Sequence, residues 1–200
     1  MNLNYDYTPY CSYCGCNPCQ CDCCCIGITG ATGASGNSIQ CTCVQQMRNL
    51  LNQIIQLYPT NTVIVYMESD DNSNGRPGSL IPTSVNMAGL FQLTDNQGVP
   101  QEAVSICRIV AVTVTNAVYN PAITYLPAPI LPAEECSADC QAAIRTYMPV
   151  GTTGVNIRTG GQAVAQGTII RNEYGVLVVV GPNNSDPTFV STCKAEILNK

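Results

Sequence analysis

A run of cysteines constrains this chain more than any other feature. It reads Cys11-Ser-Tyr-Cys14-Gly-Cys16-Asn-Pro-Cys19-Gln-Cys21-Asp-Cys23-Cys24-Cys25, then Gly27-Ile-Thr-Gly30-Ala-Thr-Gly33-Ala-Ser-Gly36-Asn-Ser, then Cys41-Thr-Cys43. Ten of the fourteen cysteines fall in it, and aliphatic side chains are almost absent before Ile39. Ordering a residue costs roughly 1–2 kcal/mol of backbone entropy. A segment this poor in apolar surface cannot offset that by burial. Its thiols must therefore bond to one another, to a metal, or to another chain.

The remaining composition removes several function classes. Lys and Arg number eight against a net charge of −5, and they are scattered singly. Nucleic-acid binding needs a clustered basic footprint, so it is not expected. Histidine is absent. That removes the commonest general base and metal ligand, together with every Cys-His or Ser-His nucleophile. Lys194 and Lys200, the two lysines, both lie at the end. The reading is a non-enzyme without a cofactor. Only 10% of residues are charged, well below the roughly 25% usual in soluble domains, so copies repel one another weakly. No run approaches the roughly 18 apolar residues of a membrane span. Residues 1–10, with Tyr5, Tyr7 and Tyr10, have neither a basic region nor an apolar run. They read as a flexible or extended arm, and the chain as one made without a signal peptide.

Beyond the arm the pattern predicts an α+β, β-rich body. Apolar residues at 44, 47, 50, 51, 54, 55 and 58 have helical spacing, and Pro59 ends the run. Strands are expected over 62–67, 89–93 and 103–114, with a polar loop over 70–82. Prolines 121, 127, 129 and 132 mark residues 116–135 as a stiff linker. The order then recurs. Cys140-Gln-Ala-Ala-Ile144-Arg145 echoes Cys43-Val-Gln-Gln-Met47-Arg48, and Phe189-Val190-Ser191-Thr192-Cys193-Lys194 echoes Ala103-Val104-Ser105-Ile106-Cys107-Arg108. These echoes predict a tandem repeat of a helix followed by a small twisted antiparallel sheet or an Sm/SH3-like barrel. The expected organisation is a cysteine-rich arm with a Gly-X-Thr/Ser spacer over 1–40, a first repeat over 41–115, the linker over 116–135, and a second repeat over 136–200.

The arm spacings C-x2-C and C-x-C suit thiolate coordination of zinc or copper. Against that alternative, no basic residue before Arg48 offsets thiolate charge. Adjacent cysteines pair poorly with each other, and in an extended segment they point to opposite sides. Cross-links between subunits are then favoured for Cys11, Cys14, Cys16, Cys19, Cys21, Cys23, Cys24, Cys25, Cys41 and Cys43. Cys41, Cys43, Cys136 and Cys140 sit at expected helix starts, where thiol pKa falls. Cys136 and Cys140 are candidates for bonds within the chain, across the repeats or to the arm. Cys107 and Cys193 lie in apolar runs and read as buried, inert thiols.

The tract Gly27-Ile-Thr-Gly30-Ala-Thr-Gly33-Ala-Ser resembles the Gly-X-Thr repeats of collagen-like exosporium proteins from spore-forming Bacillus relatives. With its cysteine-rich head and low charge, the chain also resembles cysteine-rich spore coat and exosporium proteins, and endospore appendage subunits with a cysteine-bearing N-terminal connector. The resemblance implies a structural subunit made in the mother-cell cytoplasm and deposited on the spore surface, where lysis exposes its thiols to oxidant. The implied partners are further copies, as a homo-oligomer or polymer, and other spore surface proteins.

Overall fold

The computed structural model describes residues 39–82, 88–129, 136–159 and 161–200. Cys11 to Cys25 and the Gly-X-Thr tract lie outside them. Helix α1 spans Ile39–Leu57. Its helical stripe is buried as the spacing predicts, with Met47, Leu50, Leu51 and Ile54 all at most 3% exposed. It starts five residues before the apolar stripe does, and there Thr42 and Cys43 are buried too.

Five strands follow: β1 (Val63–Met67), β2 (Asn72–Pro82), β3 (Ala88–Thr94), β4 (Pro100–Ser105) and β5 (Ile109–Val114). Helix α2 (Cys136–Tyr147) precedes β6 (Val155–Thr159), β7 (Gln162–Glu173), β8 (Val176–Val180), β9 (Thr188–Ser191) and β10 (Ile197–Asn199). Among the described residues these ten strands form one open antiparallel sheet in the order β10-β6-β7-β8-β9-β5-β1-β2-β3-β4. Strands β1 to β4 run as a meander and β5 returns to pair with β1. Strands β6 to β9 likewise run as a meander and β10 returns to β6. Pairing of β5 with β9 joins the two passages.

Two expectations change. The 70–82 stretch, read as a loop, is mostly β2. Its Asn, Gly, Ser and Pro have weak strand propensity, but β1 and β3 flank it and their backbone pairing overrides propensity. The 103–114 run, read as one strand, is β4 and β5 separated by a 3₁₀ turn at Ile106–Arg108.

The strands beside the β5–β9 seam are buried on both faces. Val112, Val114, Val176, Val178 and Phe189 pack toward α1 and Phe91. Val110, Leu177, Val179 and Val190 pack against Met148, Ile157 and Ile169 on the other side. Double burial explains continuous apolar runs such as Val-Leu-Val-Val-Val in β8.

The long strands β2 and β7 each change partner midway. Residues 72–75 of β2 pair with β1 and the rest with β3; β7 passes from β6 to β8 after Gly167. A glycine occupies each changeover. A Cβ on Gly75 would lie 2.9 Å from the Thr94 carbonyl oxygen, and one on Gly167 (φ +142°) 2.0 Å from that of Val180.

The proline-rich segment is hydrogen-bonded to polar side chains of α1 as far as Leu126. Gln53 Oε1 accepts from the Thr124 amide at 2.8 Å, Asn49 Nδ2 donates to the Thr124 carbonyl at 2.9 Å, and Gln46 Oε1 accepts from the Leu126 amide at 2.9 Å. The Tyr58 hydroxyl accepts from the Asn120 amide and donates to the Val118 carbonyl, and burial holds its pKa above the usual value. Among the described residues no helix is long and apolar enough to cross a membrane.

Candidate functional site

Chemistry-bearing side chains concentrate where the starts of α1 and α2 meet the end of β9. Cys43, the fifth residue of α1, is joined by a disulfide to Cys193, two residues past β9. Cys43 is 3% exposed and Cys193 is half-buried. The Gln141 side chain, 2% exposed, donates from Nε2 to both sulfurs, at 3.0 Å to Cys43 and 3.1 Å to Cys193. It thereby brings α2 to the same junction. Three atoms from this group, Gln46 Nε2, Gln141 Oε1 and Thr192 Oγ1, are buried without a hydrogen-bond partner.

This placement differs from the sequence reading at two cysteines. Cys43, grouped with the inter-subunit candidates, is bonded inside the chain. Cys193, read as an inert thiol, is its partner. The match of Val190-Ser191-Thr192-Cys193-Lys194 to Val104-Ser105-Ile106-Cys107-Arg108 was the available signal that Cys193 occupies a special position. Gln141 carried no sequence signal, because one glutamine inside a helix is indistinguishable from a solvated one.

The other candidates take separate places. Cys140, the fifth residue of α2, is an exposed free thiol. Cys136 opens α2, Cys41 lies in the first turn of α1, and Cys107 is buried in the 3₁₀ turn after β4. Cys11, Cys14, Cys16, Cys19, Cys21, Cys23, Cys24 and Cys25 lie outside the described residues. Among the described residues no three Cys, Asp or Glu side chains converge as metal ligands.

A second polar contact ties the ends of β1, β4 and β9 together. Glu68 pairs with Arg108 at 2.8 Å and with Lys194. Burial alone would raise the Glu68 pKa, but the hydrogen bonds and charges of Lys194 and Arg108 outweigh it and leave the carboxyl below its ordinary value. An open cleft is lined by Gly154, Gly167, Thr168, Gly181, Asn183 and Asn184, with no titratable side chain among the described residues that line it. The arrangement supplies covalent closure and strand edges. Comparison of the chain with protein-family models, with curated proteins and with solved structures finds no match.

Proposed function

We propose that the chain is a self-assembling structural subunit of a bacterial spore surface layer or appendage, cross-linked between copies by disulfides from its N-terminal arm. The observation that carries the reading is that, among the described residues, the sheet is open at both ends, with β4 and β10 as its edge strands. Exposed edges are templates for pairing with another chain. Here they belong to a molecule with only 10% charged residues and a cysteine-laden leader.

The body is a duplicated unit of a helix and five strands, each of the small Sm/SH3-like kind. Register supports this. Val63 pairs with Gly75 at the bend of β2, and Val155 with Gly167 at the bend of β7. The shift in numbering that carries Val63 onto Val155 also carries Gly75 onto Gly167. A second shift carries Val104 onto Val190, Cys107 onto Cys193 and Ala111 onto Ile197. The helix cysteines 43 and 140 each stand five residues before an arginine, Arg48 and Arg145.

Non-reducing electrophoresis of purified, air-oxidised protein tests the reading. A ladder of multimers that collapses on reduction and heating is expected. A single monomer band in both lanes refutes it.

A further inference from the structure

The two sulfurs of the Cys43–Cys193 disulfide are unequally placed. Cys43 is 3% exposed inside α1, whereas Cys193 is only half-buried, in the turn beyond β9. An attacking group reaches such a bond from the Cys193 side, because exchange depends on which sulfur is accessible.

The polar atoms around the bond suit an open state better than the closed one. Disulfide sulfurs are weak acceptors and have no proton to donate. Yet the Gln141 amide, 2% exposed, directs Nε2 at both of them, and its Oε1 has no partner among the described residues. Gln46, 1% exposed and three residues after Cys43 on α1, leaves its Nε2 unpartnered. It borders the same spot as the bond, since a Cβ on Gly175 would lie 3.3 Å from Gln46 Cβ and 3.6 Å from Cys43 Sγ. Thr192, 3% exposed and beside Cys193 in the chain, leaves Oγ1 unpartnered. Buried polar atoms are nearly always paired, so three orphans around one bond call for a cause. A thiolate supplies it. Charged sulfur accepts far more strongly than neutral sulfur, and Gln141 Nε2 already stands 3.0 Å from Cys43 Sγ.

We infer that the Cys43–Cys193 bond is a directional thiol-exchange site: an aliphatic thiol adds to Cys193 as a mixed disulfide, and Cys43 departs as a thiolate held by the buried Gln141 amide. The incoming thiolate attacks Cys193 Sγ. A new S–S bond forms, the Cys43–Cys193 bond breaks, and its electron pair stays on Cys43 Sγ. The incoming sulfur is oxidised and Cys43 is reduced, so no further oxidant takes part. The Cys43 thiolate stays within the body and reverses the step by attacking the mixed disulfide. The thiol comes from a small molecule or from a cysteine of a second copy. The inference stands on the surroundings of the bond and is independent of the self-assembly reading.

The test incubates the full-length disulfide-closed protein with isotope-labelled glutathione. Acid quenching, alkylation in denaturant, proteolysis and mass spectrometry follow. Glutathione on Cys193 is expected to exceed glutathione on Cys43 by more than about tenfold, because the Cys43 sulfur is shielded. Gln141→Leu should keep the bond and the circular dichroism spectrum but slow adduct formation about tenfold, through loss of a hydrogen bond to a charged group. A parallel arm omits glutathione and mixes isotope-labelled with unlabelled protein. A peptide joining a labelled cysteine to unlabelled Cys193 assigns a second copy as a thiol source, and its absence assigns the site to small thiols alone. Equal adducts on the two cysteines, or an intact bond without adduct, overturn the inference. A Cys140–Cys193 bond in place of the adduct also overturns it, because the exposed Cys140 thiol would then be the nucleophile. An unchanged rate in Gln141→Leu overturns the part assigned to the amide.

Discussion

Removing the internal disulfide by the double substitution Cys43→Ala, Cys193→Ala should cost the protein about as much as the largest single core truncations. The two cysteines are 150 residues apart in sequence. For a loop of that length the chain-entropy relation gives about 5 kcal/mol at ordinary temperature. Loss of the Gln141 contacts adds less, because a net hydrogen bond is worth roughly 0.5–1.5 kcal/mol and sulfur is a weak acceptor. Loop closure therefore dominates, and a loss of roughly 3–5 kcal/mol is expected once partial order in the unfolded chain is allowed for. Against a total of roughly 5–15 kcal/mol, that is a large share.

Guanidinium unfolding under non-reducing conditions measures the loss, followed by circular dichroism and by the fluorescence of the ten tyrosines, since tryptophan is absent. The entropic origin leaves a second mark. An unfolded chain freed of its long cross-link exposes more surface, so the denaturant slope should rise as the midpoint falls. The single variant Gln141→Leu keeps the bond and should lose no more than about 1.5 kcal/mol with an unchanged slope. A loss below about 1 kcal/mol in the double variant, with the slope unmoved, would refute the argument that the bond acts through the unfolded chain.

Gly167→Ala should destabilise by about 3 kcal/mol or more and lower the thermal midpoint sharply, because the new Cβ has no room against the Val180 carbonyl; a midpoint within a degree or two of the parent, on the order of an ordinary surface substitution, would contradict the bend geometry. Glu68 titrates below its ordinary value in the folded chain. Its contribution is therefore present above the unfolded value of roughly 4.3 and is lost as pH falls through the lower folded value. Glu68→Gln should lower neutral stability by no more than about 1 kcal/mol, the group being partly exposed, and acid titrations of the two proteins should converge as pH falls through the lowered folded value. A gap that persists or widens in acid would oppose the assignment.

How much could be read from residues alone follows from which force sets each element. The α1 stripe was legible because Leu50, Leu51 and Ile54 are buried by a helical period that the sequence displays directly. Strand β1 was legible as a dense β-branched run. Strand β2 was not, because nothing in Asn-Ser-Asn-Gly-Arg-Pro-Gly-Ser favours a strand until β1 and β3 stand on either side. The break at Ile106–Arg108 was hidden because Ile106 and Cys107 are apolar and buried and run straight into the apolar β5. Bonding partners are the least legible of all. Cys43 lies two residues from Cys41 in the same arm-like pattern, yet its partner comes from the far end of the chain.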